Sequence, residues 1–172
     1  MKLLFLTEFY PRDDKLIFTG GVETRTYYIS RLAKKDFEVK IITSSSKHIP
    51  ATPISVLSRL GYMFKSFWQA LLTDFDLIEV SNVVTYVPGW LAASIKSKPV
   101  VAWFPDVLGK HWLEFGWFVG LFGWLGEWLS LQLPWTKVIS LSRSTAAKLI
   151  KAGISPEKIT VVHAGIDLKE FE

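Results

Sequence analysis

The sequence predicts an α/β fold, a Rossmann-like, doubly wound parallel sheet within one domain over residues 1–163. Short β-branched runs alternate with longer stretches of helical periodicity. This alternation favours a parallel sheet covered by helices on both faces. The length of 172 residues suits one domain with a sizeable core. Ligands of such folds lie beyond the carboxyl ends of the strands, so candidate site residues are sought there.

The elements follow one another at the spacing of repeated strand–helix units. Apolar, β-branched runs predict strands over residues 2–7, 38–43, 76–81, 99–104, 137–141 and 158–163. Helical periodicity predicts helices over residues 22–35, 55–73, 88–96, 111–133 and 144–152. The fourth helix carries four glycines and is expected to be bent or broken. Gly153 is expected to end the fifth.

The helix over residues 55–73 has the clearest amphipathic pattern. An apolar stripe recurs every three or four positions, and we expect it to cover the sheet. The stripe consists of Leu57, Leu60, Phe64, Phe67 and Leu71. Arg59 and Lys65 are expected on the opposite, outward side, where they suit anionic lipid.

Composition excludes several classes of function. The chain has no cysteine and three scattered histidines, so we expect no disulfide, metal site or metal cofactor. The net charge of +4 is dispersed without a run of Lys and Arg, which argues against nucleic-acid binding. There is no signal-peptide pattern and no apolar run of membrane-spanning length. We therefore expect a cytoplasmic protein, either free or peripheral on the inner face of the membrane. The scarcity of Asn and Gln fits a thermophile.

A glycine pair opens the first helix. The dinucleotide motif G-x-G-x-x-G is absent, which disfavours a nicotinamide or flavin enzyme. Gly20 and Gly21 would let the backbone approach an anionic ligand and direct free N–H groups at it. A tight turn without a ligand explains the same pair, and both interpretations stay open.

Two further features follow the fourth strand. Asp106 stands where a carboxylate could bind sugar hydroxyls or accept a proton, although it could equally cap a helix. Residues 110–135 carry five tryptophans and three phenylalanines. Such aromatics suit membrane interfaces and sugar or lipid contacts, or they fill a core. We expect about half of them in the core and the rest in an exposed patch.

Together these stretches resemble the N-terminal domain of GT-B glycosyltransferases, in particular the retaining family 4 enzymes. The resemblance rests on four stretches in the family's order. These are the first strand with Glu8–Pro11 and the turn 20–23, the strand at 76–81, the segment 98–106, and 138–153 with the closing 161–167.

The resemblance implies a role for each site residue. Gly20 and Gly21 would contact the donor diphosphate, and Asp106 would act in catalysis. Glu23, Trp103, His111 and Trp112 would bind the acceptor, with Arg143 at the cleft between the two domains. The family often has a histidine where Pro105 stands here, and an asparagine where Ala164 stands.

The resemblance also implies partners. The nucleotide-sugar would bind only with a donor-binding domain supplied elsewhere, because residues 164–172 are expected to be the start of the interdomain linker and the C-terminal domain is expected to be absent. The acceptor would be a glycan or lipid-linked, and no metal or other cofactor is needed. We expect no activity from the chain alone, and a homodimer or heteromer. Two alternatives remain: a non-catalytic peripheral-membrane protein that recruits a partner transferase, and an unrelated nucleotide-binding Rossmann domain.

Overall fold

The computed structural model describes residues 1–11, 18, 20–45 and 53–165. Residues 12–17 and 19 after the first strand, residues 46–52 before the second helix, and residues 166–172 of the expected linker lie outside these residues. Six parallel strands form one sheet in the order β2-β1-β3-β4-β5-β6. The strands are β1 (Lys2–Phe9), β2 (Glu38–Ser45), β3 (Leu77–Val80), β4 (Val100–Phe104), β5 (Lys137–Ser140) and β6 (Ile159–Val161). The predicted Rossmann-like α/β fold is confirmed.

Five α-helices connect the strands. They are α1 (Gly21–Ala33), α2 (Pro53–Leu72), α3 (Val83–Ile95), α4 (Trp117–Leu131) and α5 (Arg143–Lys151). The connection through α1 runs from β1 to β2, on one side of β1 in the sheet, whereas each later connection runs in the opposite direction. Because such crossovers are right-handed, α1 covers one face of the sheet and the other helices cover the opposite face. Contacts agree with this arrangement. Arg25 of α1 pairs with Glu79 of β3, whereas Gly89 of α3 packs on the neighbouring Val80, whose side chain points the other way.

The core lies between the sheet and α2–α4. Leu6, Ile78 and Val80 are fully buried there, and Tyr86 stacks on Phe104 with ring centroids 4.5 Å apart. The close approach of α3 depends on Gly89, since a Cβ at that position would lie 2.2 Å from Val80 Cγ1.

The predicted orientation of α2 is wrong. Leu57, Leu60 and Phe64 are exposed, by 70%, 42% and 68%, although Phe67 of the same predicted stripe packs partly against the core. The sheet-facing side carries smaller or more polar side chains, which are Val56, Tyr62, Ser66 and Ala70. The Tyr62 hydroxyl donates to the carbonyl oxygen of Thr7 at 2.7 Å, and the Ser66 hydroxyl donates to Met63 within the helix. Because these polar groups have hydrogen-bond partners, their burial costs little free energy. Hydrophobic periodicity alone therefore does not reveal which side of α2 is buried.

The start of α3 is also five residues earlier than predicted. Pro88 was expected to open the helix and instead lies inside it. Asn82 stands at the N-cap, and the Thr85 hydroxyl accepts a hydrogen bond from the Asn82 N–H at 3.2 Å. This half of a capping box is the sequence signal that locates the true start.

The aromatic segment after β4 is broken, as predicted. Residues Gly109–Phe115 form a 3-10 helix, and Gly116, with φ of 92°, separates it from α4. This left-handed conformation favours glycine. The Trp112 ring covers Gly123, and its backbone covers Gly120. Fewer aromatics than expected enter the core, since Trp135 is buried but Trp117 and Trp128 are exposed by 76% and 55%. No helix among the described residues has both the length and the hydropathy needed to cross a membrane.

Candidate functional site

The strand order reverses between β1 and β3, and parallel sheets of this type bind ligands at such a switch point. A polar cluster lies at the carboxyl ends of these two strands. The Glu8 carboxylate accepts from Arg59 Nε at 2.7 Å and from Asn82 Nδ2 at 3.4 Å, and Glu8 is only 6% exposed. The ion pair with Arg59 explains how an ionised carboxylate is held at this depth.

This cluster is absent from the predicted site residues. Glu8 directly follows an apolar strand and Asn82 follows another, so their positions in the sequence already suggested the sheet's carboxyl edge. Arg59 could not be placed there because the orientation of α2 was misjudged.

Two side-chain oxygens at this edge, Ser81 Oγ and Asn82 Oδ1, are buried with no hydrogen-bond partner among the described residues. Buried polar atoms in folded proteins nearly always have partners, and ordered water is a common one.

No described residue packs against the glycine pair. Gly20 is the N-cap of α1 in extended backbone, and a Cβ at Gly20 or Gly21 would meet nothing within 4 Å among the described residues. Neither backbone conformation nor packing within the described residues therefore requires glycine here. The first turn of α1 begins with N–H groups that point beyond the sheet's edge, a favourable position for an anion.

Asp106 lies at the end of β4 and contacts α5. Its Oδ1 accepts from Lys148 Nζ at 2.7 Å and from the Val107 N–H at 2.8 Å, with the Thr145 hydroxyl at 3.5 Å. Partial burial raises the pKa of Asp106, but these hydrogen bonds and the Lys148 charge outweigh it, so the pKa lies below its ordinary value. The carboxylate is thus ionised at neutral pH and suited to accept hydrogen bonds. The sequence did not point to Lys148 as its partner.

Glu23 in the first turn of α1 and Trp103 in β4 are both buried. Both are 3% exposed, and Arg25 lies over the Trp103 ring, 4.8 Å from its centroid. Arg25 also forms a bidentate pair with the buried Glu79. Burial raises the pKa of Glu79, and the Arg25 charge opposes that shift. These residues support the carboxyl edge from below.

The remaining predicted site residues lie on the periphery. His111 is exposed, and its Nδ1 lies 2.7 Å from Glu114 Oε1. Trp112 is half-buried against α4, and its indole N–H has no hydrogen-bond partner in the part of the chain that the structure describes. Arg143 is the exposed first residue of α5.

Glu127 anchors the loop between Asp106 and His111 by accepting from the Leu108 and Gly109 N–H groups.

No group of three acidic, histidine or cysteine residues in the described part of the chain could hold a metal ion. One depression lies at the opposite, amino-terminal edge of the sheet. It is lined by Trp135, Ile154 and Lys158 among others, and none of the predicted site residues reaches it.

An open parallel sheet with a polar switch point is the arrangement of Rossmann-like domains, the fold that GT-B proteins share. Residues 19–170 match the family model described as Glycosyltransferase Family 4. The chain belongs to this family, which confirms the resemblance found in the sequence.

Solved structures with the same fold include transferases and epimerases. HepE (Alr3699) of Anabaena in complex with UDP-glucose matches with a TM-score of 0.58 at 20% identity, over 98% of this chain and 45% of that one. The lipopolysaccharide outer core galactosyltransferase WaaB matches with a TM-score of 0.59 at 14% identity, over 98% and 47%. The UDP-GlcNAc 2-epimerase of Methanocaldococcus jannaschii, in complex with UDP-GlcNAc and UDP, matches with 0.55 at 16% identity, over 94% and 46%.

At these identities the likeness establishes the fold alone, and the chain spans slightly less than half the length of each of these structures. No match among curated proteins was found.

Proposed function

We propose that this chain forms the acceptor side of a family 4 glycosyltransferase, which transfers a hexosyl group from a nucleotide-sugar to a glycan or lipid-linked acceptor. The observation that carries the proposal is the open glycine pair at the start of α1, at the same carboxyl edge as Asp106, in a chain of this family. The neighbouring HepE structure, in complex with UDP-glucose, makes a nucleotide-sugar the donor to test first.

In this proposal, Gly20 and Gly21 approach the donor diphosphate. The N–H groups of the first turn of α1 favour the negative charge that develops on the departing diphosphate. Bulkier residues would occupy that space, because nothing among the described residues fills it now. The remaining diphosphate contacts would come from a donor-binding lobe, so we expect residues 1–172 on their own to be inactive.

On the acceptor side, Asp106 is the candidate catalytic group. Its low pKa makes it a hydrogen-bond acceptor for a sugar hydroxyl rather than a proton donor. Trp112 and His111 flank the acceptor's approach, and Arg143 faces the cleft. Trp103 at the end of β4 contacts Arg25 of α1 and so positions α1 on the sheet, and Glu23 is a buried residue in the first turn of α1.

The donor site is tested by amide NMR titration with UDP-glucose. We expect shifts in the first turn of α1 in the parent chain, at millimolar affinity, and their loss in the Gly21→Val variant. Gly61→Val is the matched control, because Gly61 is also open to solvent but lies in α2. Unchanged shifts in the Gly21→Val variant would refute the phosphate role. Turnover of UDP-glucose by the pure chain would refute inactivity.

A second candidate function rests on a different feature. The exposed aromatic side chains of α2 and α4 favour a non-catalytic peripheral-membrane protein that recruits a partner transferase. In that case the Gly21→Val variant would leave partner recruitment and membrane contact unchanged. Both a homodimer and a complex with a donor lobe are compatible with either function. Analytical ultracentrifugation of the chain with and without a donor lobe distinguishes the two assemblies.

A further inference from the structure

The loop after β4 is held by side chains from two helices. We call residues 105–109 the β4 loop, which leads from the end of β4 into the 3-10 helix. The loop contains Asp106, and the 3-10 helix carries His111 and Trp112. In the proposed function these three residues belong to the acceptor side. The conformation of the β4 loop therefore decides where they lie relative to one another.

The first half of the β4 loop is bound by α5. The Thr145 hydroxyl donates to the Pro105 carbonyl oxygen at 3.2 Å. Lys148 Nζ donates to Asp106 Oδ1 at 2.7 Å and to the Val107 carbonyl oxygen at 3.1 Å. The side chains of Lys148 and Asp106 are 49% and 47% exposed, and an ion pair with this exposure stabilises weakly. The firmer attachment lies in the second half of the loop.

The second half of the β4 loop folds around a buried carboxylate. Leu108 has right-handed helical backbone angles, with φ of −84° and ψ of −33°, and Gly109 follows in the left-handed region with φ of 55°. Successive residues of opposite hand turn their N–H groups to one side and form a concave site for an anion. The Glu127 carboxylate of α4 fills this site. Its Oε1 accepts from the Leu108 N–H at 2.9 Å, and its Oε2 accepts from the Gly109 N–H at 2.6 Å.

The carboxylate of Glu127 serves the loop rather than the packing of α4. Glu127 is 3% exposed, and no Lys, Arg or His within the described ranges forms an ion pair with it. Burial of a carboxylate without a cation costs free energy, which here is offset by two charge-assisted hydrogen bonds to backbone N–H groups. An apolar side chain would pack in α4 without that cost.

The β4 loop also determines which oxygen of Asp106 is free. Oδ1 accepts from Lys148 and from the Val107 N–H, with Thr145 at 3.5 Å. Oδ2 has no hydrogen-bond partner in the part of the chain that the structure describes, so it is the oxygen that can accept from a ligand hydroxyl. Val107 directly precedes the two residues that Glu127 binds. Release of those residues would let Val107 move and Asp106 rotate.

We propose that Glu127 is a positioning residue of the acceptor side. By binding the Leu108 and Gly109 N–H groups, it fixes the β4 loop so that Asp106 keeps Oδ1 occupied and presents Oδ2 to a hydroxyl of the acceptor. Glu127 acts through the loop and does not touch the acceptor. This inference rests on the proposed role of Asp106, but the attachment of the loop is measured without any substrate.

The test compares Glu127→Gln with Glu114→Gln by NMR of the purified chain. Glutamine offers one acceptor oxygen instead of two and turns an NH2 group towards the second N–H. We therefore expect the amide hydrogens of Leu108 and Gly109 to exchange roughly tenfold or more faster. The pKa of the Asp106 carboxyl should rise by about half a pH unit or more towards its ordinary value, because its hydrogen bonds to the loop and to α5 loosen.

Glu114 provides the matched control. It lies in the 3-10 helix that follows the β4 loop, its side chain is 73% exposed, and its described ion pair is with His111. Glu114→Gln should leave the exchange of both amides and the titration of Asp106 as they are in the parent chain.

A purely structural role of Glu127 gives a different result. Glu127→Gln would then lower the Tm and leave the pKa of Asp106 unchanged, which would overturn the proposal. If Glu127→Gln does not fold, Gly109→Ala takes its place, since a side chain at φ of 55° strains the same turn. It should raise the pKa of Asp106 as well, and an unchanged pKa would again overturn the proposal.

Failure of the proposed function is distinguishable from failure of this inference. Asp106→Asn with unchanged turnover, in the chain combined with a donor-binding lobe, would refute the proposed role of Asp106. That result would leave the attachment of the β4 loop by Glu127 as measured.

Discussion

The contact between the 3-10 helix and α4 allows a quantitative test at Gly120. A Cβ added to Gly120 would lie 2.4 Å from the Trp112 carbonyl oxygen and 2.6 Å from Leu113 Cα, well inside the usual contact distance of about 3.5–4.0 Å. Both neighbours are backbone atoms, so the whole 3-10 segment must shift. Overpacking of this kind costs about 2–3 kcal/mol, and alanine returns about 1 kcal/mol through its better helix propensity.

We therefore expect Gly120→Ala to lower the free energy of unfolding by about 1–2 kcal/mol, which lowers Tm by roughly 2–8 °C in a chain of this size. Gly61→Ala is the matched control, since Gly61 lies in α2 with nothing within 4 Å of a new Cβ. It should raise stability by up to about 1 kcal/mol. Thermal unfolding followed by circular dichroism measures both. A Gly120→Ala variant as stable as the parent would show that the 3-10 helix does not pack on α4 as described.

Two further predictions concern ion pairs. Arg25→Met should lower the free energy of unfolding, measured with urea, by about 3–5 kcal/mol, because it leaves Glu79 buried without its cation. Adding Glu79→Gln should recover much of that loss. Equal losses in the single and double variants would contradict this expectation. Lys148→Met should raise the pKa of Asp106, measured by NMR of the side-chain carboxyl. The pKa of Asp106 is lower in the folded state than in the unfolded state, where it is about 3.9. The ionised Asp106 therefore stabilises the fold fully above that pH, and this stabilisation is lost as the pH falls through the pKa of the folded state. The variant should therefore lose stability less steeply on acidification, and an unchanged titration would rule out the Lys148 pair.

The sequence predicted the order and type of every described strand and α-helix, because the hydrophobic period changes clearly between strand and helix. It did not predict which side of a helix is buried where polar side chains on that side find hydrogen-bond partners. In α1, Thr26 and Ser30 are fully buried, and their hydroxyls donate to the helix's own carbonyls. The buried polar side chains of α2 also have hydrogen-bond partners, so the apolar stripe of α2 can face outward. A hydropathy pattern cannot distinguish an outward stripe from an inward one.

The candidate site was accessible to sequence reasoning only in part. Asp106 comes two residues after β4, and Gly20 immediately precedes the helix that follows β1, so the predicted order of strands and helices located both at the carboxyl edge. Lys148 and Arg59 reach this edge from helices distant in sequence, and only the packing of those helices brings them to Asp106 and Glu8. Contacts of this kind depend on helix rotation, which single-sequence periodicity does not fix.

The strand order has a consequence for how the chain folds during synthesis. In the folded sheet, β1 pairs with β2 on one side and with β3 on the other, where Leu6 meets Val80. A growing chain that has not yet reached β3 therefore has no partner for that border of β1, whose Leu4 and Leu6 are fully buried in the folded protein. Slow elongation at about 5–20 residues per second leaves this border open for several seconds, a period in which chaperone capture competes with aggregation.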